Sequence, residues 1–443
     1  MSPLPRPSAS LSARLRPRRL VRALAVRARR RGRRLVRQAL RRYVSAPPRG
    51  GGAAAADRRV VILIGSAWGM GGTIRAALNL AGHLAHHDRV EVLSAYRRVE
   101  RPFMGDFPPG VTVTALDDQR DDAPAGVEGW LAARLRRFDS LLLTPADIRY
   151  ADYSLWTDVQ LVRRLRRGRG VIVATRPSLN LLLADLELPG FKTIGVEQMN
   201  LHVHSKALRA AFKRRYGRLD ALAVLTERDV GDYRRLLGRR TPRLARIPNT
   251  VRALEGARAD LDARVVLAAG RLTPQKGYDL LIGAWKVVAD ARPDWHLRIC
   301  GRGQHRDKLE RMIRSHGLDG RVTLAPASED LAGEMERASI YALSSRFEGF
   351  PLVLLEAMGK GMAPVAFDCP TGPADIIDDH RNGLLVPFKD VQALGEALLE
   401  MISDDELRHA CGTAAVDTAR DYTMEAVGPA WDELIDALRD GGR

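Results

Sequence analysis

Cysteine is almost absent: the 443-residue chain has three, Cys300, Cys369 and Cys411. They are far apart and odd in number, which excludes a disulfide framework and any CxxC metal site and fits a reducing compartment. Long apolar runs are missing too. None approaches the ~18 residues needed to span a bilayer, and the N-terminus lacks the uninterrupted apolar core of a secretory signal. Lysine is scarce at eight residues, so nearly all basic groups are arginine, a bias of coding composition more than of mechanism. Finally, acidic residues are missing from the first 56 positions, which hold 16 Arg. The whole chain carries a net charge of +18, yet setting those 16 aside from the 71 basic residues leaves 55 against 53 acidic ones. The excess charge therefore belongs to a leader, and a nearly neutral globular remainder argues against nucleic-acid binding.

What remains is an ordinary globular composition, 45% hydrophobic and 28% charged. Its length predicts two or three domains at roughly 150 residues each. Residues 1–56 read as an Arg-rich leader, either disordered or a basic amphipathic helix on an anionic membrane face. Leu11, Leu15, Leu20, Leu24, Leu35 and Leu40 recur among the arginines, while Pro3, Pro5, Pro7 and Pro17 oppose a helix. Residues 50–56 read as a flexible linker.

From Arg58 the texture becomes α/β. Val60–Ile64 is a short β-rich run of the kind buried on both faces of a parallel sheet. The turn Gly69-Met70-Gly71-Gly72 and a helical stretch from Thr73 to about Ala85 follow. Further strands are expected at Val90–Ser94, Val111–Ala115, Ser140–Thr144, Gly170–Thr175, Lys192–Val196 and Ala221–Leu225. After the polar stretch 239–262, a second series is expected at Val265–Ala269, His296–Cys300, Val322–Ala325, Ile340–Leu343, Pro364–Phe367 and Leu384–Val386. Two doubly wound sheets with a hinge near residue 250 place a ligand between the carboxyl ends of their strands. The domains are expected at 57–255, with 424–443 crossing back onto it, and at 256–423.

Two segments carry candidate chemistry. Gly270-Arg271-Leu272-Thr273-Pro274-Gln275-Lys276-Gly277 sits between a strand and a helix, and its two cations can clamp a diphosphate from two sides. Ser345-Arg346-Phe347-Glu348-Gly349-Phe350-Pro351 leads into a helix carrying Glu356. Pro351 suits the first helical turn and Gly349 frees the turn before it. Glu348 is expected at the cleft mouth. Glu356, among Val353, Leu354 and Leu355, is expected to be buried and so to need a dedicated partner, such as a pair of sugar hydroxyls.

GRLTPQKG followed by EGFPLVLLE, with seven residues between its glutamates, resembles glycosyltransferase family 4. The glycine loop GMGGTIR, FDCPTGP and NGLLVP are similar to that family as well. The resemblance covers roughly residues 58–440, and FDCPTGP with IPNTV looks most like poly(glycerol-phosphate) glucosyltransferases. It implies a GT-B fold, with an N-terminal acceptor domain and a C-terminal donor domain, and a retaining transfer of a hexose-type sugar from a nucleotide-sugar. By family frequency the donor is a UDP-sugar. The acceptor it implies is a cell-envelope polymer, teichoic acid-like or otherwise glycerol-phosphate based, or a lipid-linked glycan. Arg271 and Lys276 would hold the diphosphate, Glu356 the ribose, and Glu348 with the amides of Gly349 and Phe350 the transferred sugar. Gly71 and Gly72 would let backbone approach the phosphates or acceptor. No cofactor and no metal is expected: Asp117-Asp118, Asp121-Asp122 and Asp378-Asp379 are adjacent pairs read as solvated acids. Localisation is expected to be cytoplasmic, at the inner membrane face.

One departure concerns the sugar. Many family members carry a His after a late strand of the first domain, where this chain reads Gly195-Val196-Glu197-Gln198-Met199-Asn200. His202, His204, Glu197 and Gln198 are the candidate replacements. The competing readings are an epimerase or phosphorylase on the same architecture, a glycosidase using Glu348 and Glu356, and a non-catalytic membrane- or polymer-binding protein. A glycosidase leaves the Arg271/Lys276 pair unexplained, and no lysine argues for a phosphorylase cofactor.

Overall fold

The computed structural model describes residues 32–45, 58–103, 105–123, 127–166, 168–252 and 254–441. The proposed linker at 50–56 and most of the leader lie outside them. Two parallel sheets follow each other in the chain. The first contains β1 (Arg59–Ile64), β2 (Arg89–Ser94), β3 (Thr112–Ala115), β4 (Gly170–Ala174), β5 (Phe191–Val196), β6 (Ala221–Val224) and β7 (Arg243–Arg246). Its spatial order is β3-β2-β1-β4-β5-β6-β7. The second contains β8 (Val265–Ala269), β9 (His296–Cys300), β10 (Val322–Ala325), β11 (Ile340–Leu343), β12 (Ala363–Phe367) and β13 (Leu384–Val386), in the order β10-β9-β8-β11-β12-β13. Each sheet is the open, doubly wound type, and each reverses direction once, between β1 and β4 and between β8 and β11.

Sequence makes these strands by burial. Val60 to Ile64 are at most 1% exposed, so a continuous apolar run is what a strand covered on both faces needs. One expected strand fails. Ser140–Thr144 is irregular because side chains take its amides: Asp158 accepts from the N–H of Leu141 and Leu142, and Ser140 Oγ from that of Leu143. One strand was missed. β7, Arg-Leu-Ala-Arg, is an edge pairing with β6 alone, and its arginines conceal it in the polar stretch.

The C-terminal helix Met424–Arg439 lies against the first sheet, burying Val427, Trp431, Leu434, Ile435 and Leu438 with strand residues such as Val60 and Val171. The two segments that pass between the sheets run side by side, with the Val251 N–H donating to the Tyr422 carbonyl at 2.8 Å. Residues 32–44 form a helix whose Val44 is buried in the core flanking the first sheet. Its arginines Arg37 and Arg41 pair with Asp185 at 3.3 and 2.8 Å. Part of the leader is thus a packed element of the first domain.

Candidate functional site

The loops at the two switch points face each other. After β1 comes the glycine turn, after β8 the loop Gly270–Gly277, and after β11 the loop 344–350. In the second sheet β8 and β11 are neighbours, so the two motif loops emerge together. They are stitched by the Arg346 N–H on the Gln275 carbonyl (2.7 Å), Gln275 Nε2 on the Phe347 carbonyl (3.2 Å) and Ser344 Oγ on the Lys276 carbonyl (3.0 Å). Gly277 has φ +65°, and a Cβ there would sit 2.0 Å from the Ser344 carbonyl oxygen, so glycine permits this approach.

Lys276 Nζ donates to Glu348 Oε1 at 2.7 Å, and Ser345 Oγ donates to the same oxygen at 2.6 Å. Glu348 is 6% exposed, so its carboxylate needs such partners. Lys276 is accordingly a pinned ammonium rather than a mobile point charge. Arg271 stands exposed beside it, one Nη2–H reaching Gln275 Oε1 at 3.3 Å. Beneath them Tyr278 and Cys369 are buried. Burial, with the Glu348 charge adding to it, pushes the Cys369 thiol up to about 12, so it stays neutral.

Glu356 is 4% exposed, and its partner is the Arg75 guanidinium. Arg75 belongs to the helix Gly72–Leu84 that follows the glycine turn, so this ion pair joins the two sheets. The turn itself is open: Gly71 has φ +143° and nothing within 4 Å of a Cβ, while a Cβ on Gly72 would touch Leu352 Cδ1 at 3.4 Å. Gly349 is tighter. Its Cβ would lie 2.0 Å from the Gln198 carbonyl oxygen, so the sheets meet backbone to backbone, with the buried Phe350 alongside.

Asn200, which sequence reasoning passed over, is the bracket at this junction. Its Nδ2 donates to the carbonyls of Glu348 (3.1 Å) and Pro370 (3.4 Å), and its Oδ1 accepts from the N–H of His202 and Val203. Thr371 donates to the Glu348 carbonyl at 2.8 Å from a left-handed conformation, φ 58°, uncommon for a β-branched residue.

The candidates to replace the missing His divide clearly. Glu197 is buried and committed to Asn180, Tyr216 and, at 3.2 Å, His204, whose ring packs edge-on to Phe212. His202 bonds Asp232 at 3.0 Å. Gln198 accepts from Asn249 at 2.8 Å at the junction itself, which leaves it the candidate nearest the facing loops. Of the acidic pairs, Asp117 is not solvated: it is fully buried and held by Arg136 and Gln119. Glu348 and Glu356 each have their own cation, which does not favour a glycosidase pair.

Residues 254–418 match the family model for glycosyl transferases group 1, which contains both motif loops. An exopolysaccharide phosphotransferase of Streptomyces coelicolor is 34% identical over 84% of this chain and 40% of its own length. The chain spans only 40% and 50% of the first two curated relatives it matches. The amylovoran biosynthesis glycosyltransferase AmsD of Erwinia amylovora is 28% identical over 61% of this chain and 78% of its own. Among solved structures, an S. aureus TarM mutant in complex with fondaparinux, alpha-GlcNAc-glycerol and UDP aligns with TM-score 0.55 at 22% identity, over 60% of this chain and 55% of that one. No helix among the described residues is long and apolar enough to cross a membrane. Residues 254–418 are a domain of the glycosyl transferases group 1 family, carried in a chain of GT-B fold.

Proposed function

We propose that the chain is a retaining, family 4-type glycosyltransferase that moves a hexose-type sugar from a UDP-sugar to a cell-envelope polymer or lipid-linked glycan. One observation carries this reading: Arg271, Lys276 and Glu348 stand on two neighbouring, hydrogen-bonded loops at one switch point, and Glu356, on the helix that follows, pairs across the junction with Arg75 of the helix after the glycine turn. Breaking the anomeric C–O bond sends its electron pair to the departing diphosphate and leaves an oxocarbenium-like sugar. Arg271, exposed, and Lys276, fixed by Glu348, stabilise that negative charge, an electrostatic role requiring no metal. Glu348 with the Gly349 and Phe350 amides faces the sugar. The acceptor hydroxyl attacks from the face the nucleotide leaves, which retains configuration, and its proton passes to the departing diphosphate oxygen on that face. Glu356 takes the ribose hydroxyls, sharing its carboxylate with Arg75. UDP and alpha-GlcNAc-glycerol in the TarM complex support the donor base and a glycerol-type acceptor. The exposed Arg34, Leu35, Val36 and Arg42 of the first helix suit peripheral attachment to an anionic membrane.

The Streptomyces relative favours a second reading, transfer of a sugar phosphate. The products separate the two, since glycosyl transfer releases nucleoside diphosphate and sugar-phosphate transfer releases nucleoside monophosphate. The first experiment is thermal melting of the full chain with UDP, GDP, ADP or CDP, without metal. Binding to the native state alone raises Tm by mass action. A rise with UDP that is absent in Glu356→Ala supports the donor class and the site; no shift with any nucleotide sinks both.

A further inference from the structure

At the far end of the helix Gly72–Leu84, opposite the glycine turn, three ligand-type side chains converge. His83 Nε2 lies 2.9 and 3.1 Å from the two oxygens of Asp432, and His87 Nε2 lies 3.9 Å from Asp432 Oδ1. One donor atom from each falls within 4.8 Å of the others. We propose that His83, His87 and Asp432 bind a divalent transition metal of the zinc class, which fastens the C-terminal helix to the first domain. The inference is independent of the reading of the glycosyl-transfer site.

The donor set is chemically apt. Two imidazoles and a carboxylate suit zinc, nickel or cobalt rather than the all-oxygen shells of magnesium or calcium. With metal–ligand bonds of about 2.0–2.1 Å, donors around a tetrahedral ion are about 3.3 Å apart. The spacings here bracket that value, and His87, exposed and one turn beyond His83, needs only a side-chain adjustment. Water completes the shell.

The packing is built around the imidazole. A Cβ on Gly428 would lie 2.4 Å from His83 Cε1, so a side chain there would evict the ring from between the helices. The local field also permits a cation. The nearby guanidiniums of Arg58 and Arg439 are already compensated, Arg58 by Asp88 at 3.1 Å, Arg439 by Asp88 at 2.9 Å and Asp436 at 3.0 Å. Asp432 is left to the histidines. A hydrogen bond between His83 and Asp432 would account for that pair but not for His87, which separates the alternatives.

The test uses tag-free full chain stripped with a chelator, titrated calorimetrically with ZnCl2 and followed by melting. The expected result is one saturable zinc per chain with Kd below ~10 µM, and a Tm rise of about 3–8 °C that MgCl2 does not give. Cobalt should show the visible absorption of a tetrahedral site. His87→Ala, at an exposed position, should weaken binding at least ~10-fold without altering the metal-free Tm, and Asp432→Asn should weaken it similarly. Zinc uptake spread over several weak sites, or equal affinity in His87→Ala and Asp432→Asn, overturns the assignment.

Discussion

Lys276 and Glu356 show how little freedom the candidate site residues have. Each is one half of an ion pair in a nearly dry setting: Lys276 with Glu348, Glu356 with Arg75. Lys276→Ala removes a cation from the developing diphosphate and strands the Glu348 carboxylate; Glu356→Ala removes the proposed ribose contact. Either substitution should cut transfer by at least ~100-fold in a product-release assay, the loss typical of one charge-stabilising group. Wild-type rates in both would refute the site. A titratable residue beside the junction gives a second prediction. Burial first, then the charges of Asp232, Asp375 and Glu197, raise the Asp229 carboxyl to about 6, and only the Thr226 hydroxyl opposes this among its strongest influences. A folded-state pKa above the unfolded one, near 3.9, means that the folded chain holds the proton more tightly between those values. Its contribution is thus fully present below about pH 4 and lost as pH rises through 6. Asp229→Asn should therefore stabilise the chain at pH 8, by at most about 3 kcal/mol. The helix Glu227–Leu237 begins there, and its dipole reduces the gain by about 0.3–1 kcal/mol. Melting curves at pH 4.5 and 8 check this, and a variant less stable at pH 8 than at pH 4.5, relative to the parent, contradicts it.

At the scale of elements, the site depends on loops that approach closer than side chains allow. Gly349 presses on the Gln198 carbonyl, with no room for a Cβ at 2.0 Å. Gly349→Ala should leave both sheets folded, with circular dichroism unchanged. It should nonetheless separate loop 344–350 from Asn200 and reduce nucleotide affinity and transfer, the latter by ~10-fold or more, as small misplacements do. Normal transfer with a normal spectrum would show that the contact is dispensable. Much of this was legible in sequence for a physical reason. Strands covered on both faces must be apolar runs, and twelve of the thirteen strands among the described residues were read within a few residues of their bounds. The loops at the switch points carry glycine and charge because backbone must approach there. What sequence hid was decided by partners distant along the chain. Asp158 capturing the amides of Leu141 and Leu142 dissolved an expected strand, and an Arg-rich edge concealed β7. Glu356 was expected to be buried with a partner such as sugar hydroxyls; it is buried, but the partner in the structure is Arg75, 281 positions earlier, recognisable only once the sheets face each other.

For the molecule as a whole, charge and stability are linked through the N-terminal helix. Asp185 gathers Arg37, Arg41, Arg215 and Arg218, one carboxylate among four guanidiniums, so the patch stays strongly positive although it is internally paired. On the proposed membrane reading the patch serves two purposes: the inner arginines hold the helix on the first domain, while the outer ones face outward with Leu35 and Val36. Removing residues 1–56 is therefore more than removal of a charged tail. It uncovers the Val44 pocket, about 1.5–3 kcal/mol of burial, and leaves Asp185 with fewer cations, while the partly exposed pairs add less than about 1 kcal/mol each. At roughly 2–4 °C per kcal/mol for a domain of this size, Tm should fall by about 4–10 °C. Sedimentation with anionic vesicles separates the second purpose: binding should fall in the longer deletion and in Arg34→Ser/Arg42→Ser, whose side chains lie outside the Asp185 pairs. A double variant that melts and sediments like the parent would assign the helix to stability alone, and a longer deletion with unchanged Tm would detach it from the fold altogether.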